Sequence, residues 1–133
     1  MTETAIVAAL VATGVATYYP AAQFDGRPLY CDQFTKRDLI YSENTEPWAA
    51  FDIGWYRSGR VRCGDLIALR FEDGQRLTVR AWDAGMFQGY YVEGWPELEI
   101  VADLPEHLRP DKAMSWRARV MNLSRLAEKA GMR

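Results

Sequence analysis

An acid stands at Asp83 where an acid can do chemistry. In Val79-Arg80-Ala81-Trp82-Asp83 apolar side chains recur at alternate positions, the period of a β-strand, and Asp83 falls in phase with Val79 and Ala81. On that parity its carboxyl faces the core side of a strand end. Lost hydration there raises a carboxylic pKa and keeps the group protonated as a general acid. The position equally suits a structural acid that accepts backbone hydrogen bonds from the Ala84-Gly85 turn. Parity turns Trp82 outward. With Tyr18 and Tyr19 it reads either as a surface on which sugar rings stack or as ordinary packing. Phe87 and Tyr90 open a long stretch with the look of a binding rim.

Metal, cofactor and nucleic-acid chemistry find little support. Cys31 and Cys63 are not in a C-x-x-C spacing, and the lone His107 lies in the exposed-looking Pro105-Glu106-His107-Leu108-Arg109-Pro110, so no metal site is expected. The two cysteines allow one disulfide at most, and two free buried thiols are equally compatible with the sequence. No phosphate-binding loop or cofactor motif is present, so no cofactor is expected. A net charge of -2 offers no cationic surplus, which argues against a nucleic-acid partner. The acidic start Met1-Thr2-Glu3-Thr4 does not resemble the basic start of a signal peptide, and the apolar run Ala5 to Ala12 is too short to span a bilayer. The expectation is a protein without a signal peptide or membrane anchor, its location left open.

The elements that must position Asp83 are mostly strands. The 133 residues, 49% of them apolar, suffice for one core, and no linker or repeat divides them, so a single domain over 1–133 is expected. Gly14 to Tyr19 reads as a first strand ended by Pro20. Residues 21–46 are irregular, with Leu29 to Cys31 and Leu39 to Tyr41 as short strands. Trp48 to Ile53, with Pro47 ahead of two alanines, reads as a helical turn. Ile67, Leu69 and Phe71 alternate before Asp73-Gly74, and Leu77, Val79 and Ala81 after it, which marks a hairpin. An odd-length loop would set Phe71 opposite Leu77 and Glu72 against Arg76. Phe87 to Ser115 is an aperiodic excursion that covers the strands or rims a site. Arg117 to Met121 is a strand, and Asn122 or Ser124 caps a short helix that stops at Gly131.

Three segments, in order, resemble the domain shared by rare lipoprotein A, expansins and barwin-like proteins. Gly14-Val15-Ala16-Thr17-Tyr18-Tyr19 is similar to the family's opening strand. Val79 to Phe87 is similar to a hydrophobic strand that ends in Asn-Asp-Arg-Gly-Pro-Phe, and Arg119 to Gly131 to an Arg-Val-Ile-Asp-Leu-Ser junction of strand and helix. The resemblance implies a mostly β fold, a small closed six-stranded double-psi β-barrel with a short C-terminal helix.

It also implies action on cell-wall polysaccharide, peptidoglycan rather than cellulose, of the lytic-transglycosylase kind. Asp83 would be the acid/base, and Thr17, Tyr19, Trp82, Phe87, Tyr90 and Asn122 would face substrate. A transglycosylase needs few groups, because the sugar's own hydroxyl is the nucleophile. Two positions depart from the pattern. The family's Ala-Ala-His aligns with Ala49-Ala50-Phe51, and the acid of Asp-Leu-Ser with Asn122. Asp52, beside Phe51, is a second acid or a capping group. The departures favour the alternative of a non-catalytic structural or interaction protein with a protein assembly partner, for instance in a phage particle.

Overall fold

The computed structural model describes residues 10–131, which leaves most of the Ala5 to Ala12 run outside the described residues. Strands β1 (Val11–Tyr19), β2 (Trp48–Asp52), β3 (Leu66–Phe71), β4 (Arg76–Gly85), β5 (Ile100–Pro105) and β6 (Trp116–Asn122) close into a barrel in the order β1-β5-β2-β4-β3-β6. β1 runs parallel to β5, and β2 to β4; the other neighbours are antiparallel. The fold is the closed six-stranded barrel that the resemblance implied. Helix α3 (Leu123–Lys129) follows β6 directly, with the Asn122 side chain accepting the Arg125 N–H as its cap.

Alternation fills the barrel. Ile67, Leu69, Phe71, Val79 and Ala81 point inward with Phe51, Val101, Leu104, Trp116 and Val120, while Arg70 and Arg76 are exposed. The faces of the hairpin are as the sequence set them, but its register is displaced by two residues: Leu77 pairs with Leu69, and Arg70 with Arg76. Gly74, at φ 93°, takes the left-handed position that closes a three-residue loop, and Phe71 N–H donates to the Gln75 carbonyl. Turn geometry thus overrides the attraction of Glu72 for Arg76.

Two segments differ from the sequence reading. Trp48 to Asp52 is strand β2, not a helical turn; α2 (Ile53–Arg57) begins only after it. β2 lies between β4 and β5 with both faces covered, Ala49 and Phe51 inside the barrel and Trp48 and Ala50 outside it. A strand buried on both faces shows no alternation, and burial outweighs the helical preference of alanine. β5 is hidden in the supposed excursion for the same reason. Its parallel partner β1 approaches so closely that a Cβ on Gly14 would overlap the Glu99 carbonyl and the Val101 side chain.

Residues 20–47 wrap the outside of β2 and β4. They hold α1 (Ala21–Phe24) and a 3₁₀ turn, Tyr30–Phe34, where the sequence suggested a strand; the ladder there is reduced to a bridge of Pro28 with Ile40. Leu29, Cys31, Leu39 and Tyr41 bury a second core against Tyr19, Trp48, Ala50 and Trp82. Cys31 and Cys63 form a disulfide, with Cα atoms 5.7 Å apart, that ties this cover to the loop before β3.

Candidate functional site

A β-bulge sets the site. Along β2 and β4 Ala49 pairs with Ala81 but Ala50 pairs with Asp83, leaving Trp82 as the extra residue. Ala81 stays inside the barrel, whereas Trp82 and Asp83 both meet the outer core. The expected inward parity of Asp83 is corrected by this bulge. So is the exposure of Trp82, which is 4% accessible beneath the cover. Its indole N–H donates to Glu46, and the Arg37 guanidinium lies 5.0 Å from its ring. Trp82 therefore packs and cannot stack on a ligand.

The Asp83 carboxylate accepts from Tyr19 Oη at 2.8 Å and from the Tyr30 amide at 2.8 Å, while Tyr56 Oη donates to its backbone carbonyl. Burial raises its pKa, opposed by the hydrogen bonds from Tyr30, Tyr19 and Ala84. Burial and the Asp83 charge hold the Tyr19 phenol well above its ordinary value, so it remains a donor.

A second acid faces the same space. Ala50 pairs with Asp83 on one side and with Asp103 of β5 on the other, which puts the two acids on one row about 10 Å apart at Cα across a methyl side chain. Asp103 accepts from Thr17 Oγ1 at 2.7 Å. Burial pushes its pKa up to about 7, and the Asp83 charge adds to the rise. Asp83 has more hydrogen-bond donors than Asp103, and these oppose its rise, while Asp103 still carries part of its proton near neutral pH.

Both acids line an open groove of about 510 Å³ with Tyr18, Tyr19, Phe24, Arg27 and Phe87. Phe87 owes its place to Gly85, since a Cβ there would overlap the Phe87 ring. Thr17, Tyr19, Asp83 and Phe87 are thus brought together. Tyr90, 66% exposed, lines an adjoining depression of about 380 Å³ that Phe87 shares. Asn122 is elsewhere: its backbone N–H donates to the Leu10 carbonyl, at the opposite end of β1 from Tyr19, and its side chain donates to Asp65 and the Arg60 carbonyl. Asp52 accepts from the Gly54 and Phe87 amides, as a cap does, and Phe51 is a fully buried core residue.

Asp103 is the site residue that the sequence reading missed. A signal existed: an acid within the apolar Ile100-Val101-Ala102-Asp103-Leu104, just before the helical turn Glu106–Leu108.

The sequence matches no protein-family model, and no curated protein matches it. The structure is similar to a crystal structure of a mutant Clavibacter michiganensis expansin in complex with cellohexaose, with a TM-score of 0.53 and 17% identity. The likeness covers 85% of this chain and 50% of that one, so this chain spans half the length of the expansin. The shared feature is the fold, the double-psi β-barrel of expansins and rare lipoprotein A.

Proposed function

We propose that the groove binds a cell-wall glycan strand, peptidoglycan in preference to cellulose, and cleaves it as a lytic transglycosylase does. The observation that carries this reading is the pair Asp83 and Asp103, two largely buried acids facing one groove and both held above the ordinary carboxylate range. Asp103 gives its proton to the glycosidic oxygen as the bond to C1 breaks. The C6 hydroxyl of the same sugar closes on C1, and its proton passes to the Asp83 carboxylate, so an anhydro end forms without water. Tyr18, Phe24 and Phe87 supply faces for sugar rings, and Arg27 is the cation at the groove for a glycan that carries carboxylates. The fold likeness to a protein crystallised with cellohexaose supports a carbohydrate ligand.

The engagement of Asp83 by Tyr19 and Tyr30 favours a second reading, a non-catalytic barrel that holds glycan or an assembly partner without turnover. Digestion of purified peptidoglycan separates the two. Anhydro-muropeptides that vanish in Asp103→Asn and in Asp83→Asn support catalysis; retention on peptidoglycan without product supports the scaffold. No retention at all removes the glycan reading.

A further inference from the structure

The barrel wall around β3 and β6 carries a row of arginines. β3 pairs Arg70 with Arg76 on one side and with Arg119 on the other, and β6 pairs Arg119 with Thr13 of β1. Arg117 lies two residues along β6, on the same outward face. All four arginines are exposed. Their Cα atoms stand about 5 Å apart across the strands and about 7 Å along β6. Like charges directly opposite one another on a sheet repel, and here two such pairings are adjacent. Among the described residues the ion pairs within 4.0 Å involve Arg37, Arg62 and Arg80 and none of these four. Glu72, next to Arg117, is the single acid lining the shallow depression of about 300 Å³ that Arg70, Arg117 and Arg119 border. A chain of net charge -2 has thus concentrated uncompensated cations on one patch.

The geometry points to a binding surface for a linear polyol-phosphate chain, separate from the glycan groove. Guanidinium forks match phosphate oxygens in pairs and keep their charge at every working pH. Cations this close ask for an anion that recurs every few bonds. A peptide-bearing glycan, with its carboxylates grouped once per disaccharide, is too sparse. A single-stranded nucleic acid would want rings on which to stack its bases. The outward neighbours here are Thr13, Ala68, Thr78 and Met121, while Phe71 and Trp116 are buried inside. The groove is lined from the ends of β1, β4 and β5 and from the cover, and none of its lining residues borders the arginine depression. The two surfaces can be occupied together.

The test uses a labelled glycerol-phosphate octamer, with binding followed by fluorescence anisotropy across a salt series. The expected result is binding that weakens with salt at a log–log slope of about -3, as for three or four released counterions. Arg70→Gln with Arg119→Gln should lower that slope by about 2 and weaken binding at low salt roughly tenfold or more. Glu72→Gln should tighten binding, and Asp83→Asn should bind as the parent does. Oligothymidylate and polygalacturonate of matched charge should compete more weakly than unlabelled octamer. Absence of binding at low salt, binding indifferent to the double variant, or a competitor stronger than the octamer each overturns the proposal.

Discussion

Asp103 makes stability depend on a single proton. Folded, its carboxyl holds a proton up to about pH 7; unfolded, it releases it near 3.8. Between these values the unfolded chain binds fewer protons, so this group's contribution to stability falls as pH rises. Asp103→Asn removes the penalty. Urea melts should show the variant equal to the parent near pH 4 and more stable at pH 8 by at most about 4 kcal/mol. Equal stability at both pH values would mean that the carboxyl is hydrated in the folded protein. Tyr19→Phe has a different signature. It removes a donor to the Asp83 anion and raises that pKa further, so the acid limb of any turnover should move to higher pH.

At the scale of elements, burial now decides what Trp82 does. Truncation to Ala should cost about 3–5 kcal/mol of unfolding free energy, because the ring fills the outer core beside Cys31 and Trp48. A denaturation midpoint close to the parent's would show that the cover does not seal over it. Gly14→Ala should also destabilise, by forcing β1 from β5 where the two chains nearly touch. These two sites show how far the sequence could be read. The hairpin and β6 alternate because one face is solvated, and the period reveals them. β2 and β5 are covered on both faces, so alternation is lost, and with it went Asp103, the partner of Asp83. The bulge at Trp82 was illegible for another reason: a single extra residue inverts parity, and only pairing with β2 reveals it.

For the whole molecule the disulfide is the covalent tie between cover and barrel. It joins Cys31 in the cover to Cys63 before β3, closing a loop across a separation of 32 residues. By loop entropy its removal should cost about 3.5 kcal/mol. Thermal melts of Cys31→Ser with Cys63→Ser should register that loss as a lower midpoint, whereas an unchanged midpoint would assign the cover's stability to its aromatic packing alone.

Cys31 directly follows Tyr30, whose amide holds the Asp83 anion. The sulfur bridge therefore links the electron poise of the surroundings to the strength of an acid that lies 53 residues beyond Tyr30 in the chain. In a thiol-rich bath the cover loosens, the amide withdraws, and Asp83 should hold its proton to higher pH while the barrel is still folded. Titration of that carboxyl by NMR, with and without reductant, reads the coupling directly. An unchanged titration in reductant would show that the cover holds its place without the sulfur bridge.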